Sequence, residues 1–196
     1  MTKHIRSILA VVFSLFSATA AFSSDSYSID TAHSSIVFSI RHMAISNVKG
    51  RFTDFSGTLV YDEQDINKSS VELTIKAASI NTDVKQRDDH LRSADFFDVA
   101  KYADITFKST RIEKKGEAYA AIGMLTMHGV SKEVAIAFKI GGKTKDMAGA
   151  IHLGAEGTLT INRQDYDISW NKTLDNGGLL VGNDVQIELN IEAVKK

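Results

Sequence analysis

Apolar and polar residues alternate with a period of two along most of the chain. Ile36, Phe38 and Ile40 point one way while Ser35, Ser39 and Arg41 point the other, the signature of a strand with one buried face. The same alternation runs through Val71, Leu73, Ile75 and Ala77, through Ile105 and Phe107, and through Tyr119, Ala121, Gly123 and Leu125. It returns in Val134, Ile136, Phe138 and Ile140, in a long row from Ile151 to Ile161, and in a last one from Val185 to Ile191. The segment from Arg51 to Tyr61 also reads as extended, but Phe52 and Phe55 break parity there, which predicts a bulge. Polar or glycine-containing links such as Glu113 to Gly116 and Gly141 to Asp146 are too short for parallel crossovers. The expectation is an all-β domain of about eight antiparallel strands with one or two short helices.

One stretch breaks the period of two. Asp83 to Asp98 carries Val84, Arg87, Asp88, His90, Leu91 and Ala94, a spacing that predicts a short helix over residues 85–94 with Asp83 as its cap. The helix leads into Phe96 and Phe97, which are placed to plug one end of whatever the strands enclose. A second helical turn is expected near Met43 to Ser46. Asp88 and Arg92 stand at ion-pair spacing on an exposed face, and the competing reading of the same run is a cationic mouth made by Arg87, His90 and Arg92.

A sheet that is apolar on one face must close on itself, pack on a second sheet or take a helical cover, and this chain has little helix to spare. Barrel and sandwich both satisfy the pattern. Gly57, Ala77, Ser109, Ala121, Gly123, Ala155 and Gly157 share the inward parity. They either leave volume for one guest, as small eight-stranded barrels do, or sit opposite large side chains in a filled core. A transmembrane barrel would alternate too, but it calls for aromatic girdles, and aromatic residues make up only 8% of the chain.

Composition narrows the chemistry. The chain has no Cys and no Pro, which excludes a disulfide scaffold and a thiolate metal site. Lys and Arg number 23 against 24 Asp and Glu, so no broad basic field exists for nucleic acid. Lys3, His4 and Arg6, the apolar run Ile8 to Phe16 and the small residues Ser17 to Ala21 read as a cleavable secretory signal peptide over residues 1–23, cut between Ala20 and Ser23. The expected product is a soluble exported domain over residues 24–196, and an uncleaved membrane anchor is the alternative reading. None of the histidines at 33, 42, 90, 128 and 152 lies in an HxH or HxxxH pattern, so neither metal nor other cofactor is predicted. No nucleophile elbow, phosphate-cradling loop or dinucleotide fingerprint is present, and no catalytic constellation is visible.

Several short segments, in this order and separation, resemble the YceI-like family. They are Asp30-Thr31-Ala32-His33-Ser34, Gly50-Arg51-Phe52, Arg87-Asp88-Asp89-His90-Leu91, Phe96-Phe97-Asp98, Ile105-Thr106-Phe107-Lys108-Ser109 and Gly123 to Val130. The resemblance covers nearly all of the chain after the signal peptide. It implies an extended, lipocalin-like antiparallel barrel, periplasmic or secreted and often dimeric, whose lumen holds a polyisoprenoid or similar amphiphile. On that footing the chain is expected to bind or carry an isoprenoid lipid, either a prenyl phosphate or an isoprenoid quinone, with transient membrane contact. The expected apolar lining is Phe38, Ile40, Phe52, Leu73, Ile75, Leu91, Phe96 and Phe107. The expected polar mouth is His33, His42, Arg87, His90, Arg92 and Arg163. An enzyme acting on isoprenoid lipids through His33, His90 or His128, and a packed module that binds another protein, are the competing readings. Two departures from the family pattern, Ala103 in place of Pro and Asp167 in place of Gly, are expected to loosen a loop and to alter a turn.

Overall fold

The computed structural model describes residues 24–175 and 177–196; the expected signal peptide lies outside the described residues. The strands are β1 (Asp25–Ile29), β2 (Ser35–His42), β3 (Ser46–Phe52), β4 (Phe55–Tyr61), β5 (Ser70–Lys76) and β6 (Ile80–Asn81), then β7 (Asp104–Lys115), β8 (Ala118–Met127), β9 (Val130–Lys145), β10 (Ile151–Asn162) and β11 (Val181–Lys195). One α-helix, α1 (Lys85–Arg92), separates β6 from β7. Among the described residues no helix is long and apolar enough to cross a membrane.

Eight strands close an antiparallel barrel in the order β1, β4, β5, β7, β8, β9, β10, β11 and back to β1. Closure depends on a fork in β11. Its last residues pair with β1, as in Tyr27 opposite Lys195, while its first two-thirds pair with β2, as in Phe38 opposite Ile187. The chain passes from β1 to β2 along the same partner, and β2, β3 and β6 then form a branch outside the ring. Barrel rather than sandwich is therefore the architecture, and eight is the number of strands in its wall. The membership differs from the sequence reading, which had no β1 or β6.

The aromatic parity break at Phe52 and Phe55 is a corner, not a bulge. Phe52 ends β3, Phe55 begins β4, and both are buried because the chain turns at Thr53 and Asp54 between them. True register shifts fall in β7 at Ser109 and Arg111 and between β9 and β10 at Gly154 and Ala155. No helical turn forms at Met43 to Ser46. Met43 and Ala44 have φ of 52° and 58°, and the Ile45 amide donates to His42 O at 3.1 Å, so the β2–β3 hairpin turns as type I′.

The helix also differs in its polar contacts. Val84, not Asp83, occupies its N-cap, and Asp83 sits at a φ of 60° with its carboxylate on Arg51 at 3.1 Å. Asp88 is buried and accepts from the Thr82 amide at 2.8 Å and from the Thr82 hydroxyl. Arg92 donates through Nε to Ala78 O and through Nη2 to Ile80 O, both at 2.7 Å, and pairs with Asp89 at 3.2 Å. The expected Asp88–Arg92 pair does not form, because each group is engaged by backbone that a helix-only spacing argument cannot see.

The small inward residues divide, and the neighbour at Gly123 is backbone rather than the large side chain expected of a filled core. At Gly123 a Cβ would stand 2.2 Å from Lys108 O, so backbone occupies that space. Ala121, Ala155 and Gly157 instead border open volume.

Candidate ligand-binding site

Among the described residues, two apolar chambers lie within and beside the barrel. The larger, about 290 Å³, lies between the barrel, the β2–β3–β6 branch and α1 and is here called the mouth chamber. The smaller, about 110 Å³, lies inside the ring toward β1 and β4 and is the far chamber. Leu73, Phe107, Ile136 and Leu189 border both. Along β10 the lining runs from Leu153 in the far chamber to Ile161 in the mouth chamber, a length of about 27 Å at the rise of an extended strand.

Aromatic rings build one wall of the mouth chamber. Gly50 on β3 lets the Phe38 ring lie flat against its backbone, since a Cβ there would be 2.4 Å from Phe38 Cζ. Phe38 packs on Phe52 at 5.8 Å between ring centres, and Phe52 meets Phe97 edge-on at 6.0 Å. His90 stands edge-on to Phe96 at 5.0 Å and to Trp170 at 4.8 Å, while its Nε2 lies 2.9 Å from an Asp95 carboxylate oxygen.

All eight residues expected to form the apolar lining border the mouth chamber. Of the expected polar mouth, His42, Arg87, His90 and Arg163 border it too. Arg87 is held by Thr82, donating from Nε to the hydroxyl at 2.7 Å and from Nη2 to the carbonyl at 2.9 Å. His33 and Arg92 do not belong to the mouth. His33 is exposed in the turn between β1 and β2, its Nδ1 2.9 Å from Asp30 Oδ2. Arg92 directs its guanidinium to Ala78 O, in the 3₁₀ turn before β6, and to Ile80 O at the start of β6. Phe97, read from the sequence as an end plug, lines the chamber too, and Ile168, Trp170 and Leu180 also line it and were missed. These three come from the loop between the 3₁₀ turn after β10 and β11, which carries no period, and the single tryptophan is the signal that could have found it.

Arg163 is the most unusual group in the site. It begins a 3₁₀ turn after β10 and is only 3% exposed. Its Nε donates to Gly182 O at 2.9 Å, and Nη1 donates to Ile168 O at 2.7 Å and Trp170 O at 2.9 Å. Nη2 is buried and donates to no atom among the described residues. Burial pulls this guanidinium below the ordinary arginine value, yet arginine stays charged in proteins. The turn that presents it ends on Asp167 at φ 59°, in the left-handed region that glycine favours. The aspartate keeps the cap: its amide donates back to Gln164 O at 3.1 Å.

The histidines do not converge. His128 sits at positive φ in the β8–β9 turn, with its Nδ1 3.1 Å from Tyr166 O and its ring on Tyr102. His152 lies outside the barrel wall between Glu192, at 2.7 Å from Nδ1, and Asp146, at 3.3 Å from Nε2. Both carboxylates raise its pKa, and Asp30 does the same to His33. Asp30, His33 and Glu192 each bring one ligand atom within 4.8 Å of the others and could take a cation, but the histidine–carboxylate pairings already account for their positions.

A family model for the YceI-like domain matches residues 27–193. The chain belongs to the YceI-like family. A UPF0312 protein of Serratia proteamaculans is 38% identical to it over 183 residues, 92% of each chain. Among solved structures, Burkholderia cenocepacia BcnA superposes with a TM-score of 0.74 at 24% identity, covering 84% of this chain and 98% of its own. A polyisoprenoid binding domain from Saccharophagus degradans gives a TM-score of 0.64 at 17% identity, covering 87% and 98%. These YceI-like structures share the barrel.

Proposed function

We propose that this YceI-like protein is a periplasmic carrier that holds a polyisoprenoid amphiphile, with its tail in the lumen and its head group at Arg163. The observation that carries the reading is a buried guanidinium in the wall of an apolar chamber that, among the described residues, has no carboxylate partner and one nitrogen without an acceptor. A buried donor left unpaired costs about 1–3 kcal/mol, and an anionic head group supplies both the acceptor and the countercharge. A prenyl phosphate therefore fits better than a quinone, whose carbonyl accepts the hydrogen bond but leaves the charge uncompensated.

The tail supplies most of the affinity. At about 0.8 kcal/mol per buried methylene, one isoprene unit contributes about 3 kcal/mol before ordering costs, so a few units outweigh the head-group contact. Similarity to the Saccharophagus polyisoprenoid binding domain supports the same ligand class. The site also offers a place for membrane contact. Met43, Ile45 and Leu179 are exposed, Ile45 to 77%, and the Met43 amide donates to Leu180 O at 2.9 Å, which ties the hairpin tip to the loop beside the mouth. These side chains would meet a bilayer where the lipid is collected.

Native mass spectrometry of the exported protein tests the proposal. A bound prenyl phosphate, kept by wild type and by Arg163→Lys but lost in Arg163→Met, is the expected result. An apo mass together with no uptake of either prenyl phosphates or isoprenoid quinones would overturn it.

A further inference from the structure

The two chambers adjoin at four shared lining residues, here called the waist. β5, β7, β9 and β11 each place one large side chain there, namely Leu73, Phe107, Ile136 and Leu189. Leu73 and Phe107 face each other directly across the β5–β7 pair. Between β9 and β11, β10 presents Gly157, in register with Leu189. A Cβ at 157 would stand 3.3 Å from Ile136 Cγ2 and 3.5 Å from Leu189 Cδ1. Ile136 and Leu189 therefore already close over the bare backbone of Gly157, and a larger residue there would drive them toward the lumen. Beyond the waist, Ala121 and Ala155 keep the far chamber hollow.

Resting on the lipid-carrier reading, we propose that this waist makes the lumen a two-stage gauge of tail length, with the far chamber a separate subsite for the end of a long prenyl tail. A short tail is housed wholly in the mouth chamber and leaves the waist shut. A longer tail turns the Ile136 and Leu189 side chains into other rotamers and gains the far chamber. Affinity then rises with tail length in two stages, because the first unit past the waist must displace side chains from one another before it gains new contacts. Selectivity for long tails resides in residues that a short-tailed ligand never touches.

Dissociation constants for geranyl, farnesyl, geranylgeranyl and solanesyl phosphates, measured on the wild type and three variants, test this. Ala155→Leu fills the far chamber and Gly157→Val blocks the waist; each should leave geranyl phosphate binding unchanged and weaken solanesyl phosphate by about tenfold or more. Leu189→Ala should open the waist and turn the two-stage rise into a smooth one. The gauge is overturned if the filling variants weaken short and long tails equally, or weaken neither. Wild type that binds none of the four would instead overturn the carrier reading. A melting curve for each variant separates lost binding from lost folding, and the cavity-opening and cavity-filling changes fail to fold for opposite reasons, so one arm remains readable.

Discussion

In the far half of the barrel β1 has ladder partners on both edges, β4 on one side and β11 on the other. In the mouth half β2, β3 and β6 hang from β11 as a branch, and β6 has only β3 beside it. The chambers reflect this: β1 and β4 contribute nothing to the mouth chamber, and β2 and β3 nothing to the far one. Where the ladder is continuous, backbone hydrogen bonds and apolar packing hold the wall. Where it is not, a few side chains do that job, with Arg92 reaching Ala78 O and Ile80 O, Asp88 holding Thr82, and Arg163 gathering three carbonyls. A wall held by a few latches opens locally at lower free energy than one held by a ladder, and under the proposed carrier function the mouth half is the end through which a guest would pass.

The substitution with the largest effect should strike both halves at once. Phe107 is 3% exposed and belongs to both chambers. Phe107→Asp removes a ring from the shared wall and buries a carboxylate, so a loss of about 3 kcal/mol or more in denaturant-measured stability is expected, together with loss of bound lipid. Retention of both would show that the chambers do not meet at this residue.

A smaller and one-sided effect is expected at the helix latch. Arg92→Ala removes two charge-assisted bonds to carbonyls, worth about 2 kcal/mol together where they are half-shielded from water. Amide hydrogen exchange should quicken in α1 and β6 while β8, β9 and β10 keep their protection. Uniform quickening across the barrel would mean that the two halves open as one unit.

Legibility in the sequence follows the same division. Rows in which every second residue is apolar, such as Val134 to Ile140 or Val185 to Ile191, announce strands of the continuous ladder, because burial of one face writes the period directly. β1 has only Tyr27 and Ile29 to announce it, and β6 is two residues long, too short to carry any period. The helix showed as a break in the alternation, but its capping did not. Asp83 has the chemistry of a cap, yet it pairs with Arg51 on β3, a contact between residues 32 apart in the chain. Asp88 and Arg92 likewise chose backbone partners that only the folded branch brings near. Lining residues on strands were therefore found by parity, and those on the loop from Ile168 to Leu180 were not. Arg163 was marked through family resemblance, whereas its burial and its carbonyl partners are products of the tertiary fold.

The weakest of these effects should come from the outer wall beside the far half and should appear as a pH dependence. His152 lies between Glu192 and Asp146, and Asp146 also accepts from the amides of Ala148 and Ala150 at 2.9 Å, which holds the β9–β10 turn. His33 pairs with Asp30 nearby, and the positive charge of His152 works slightly against it. Hydrogen bonds to the carboxylates raise both histidines above the ordinary value of 6.5. Their stabilising contribution is therefore complete below that value and fades as pH rises through the higher folded-state one. Asp146 works in the opposite sense: its pKa is lowered from 3.8, first by the Ala150 amide and then by His152, so its contribution is present above 3.8 and is lost as pH falls through the lower folded value. Between these limits the cluster is fully paired. His152→Gln should accordingly lower the melting temperature more at about pH 6 than at about pH 9, with the change in hydrogen exchange confined to the β9–β10 turn and the end of β11. An equal difference at both pH values would show that the charged form of His152 does not help to hold the far half together.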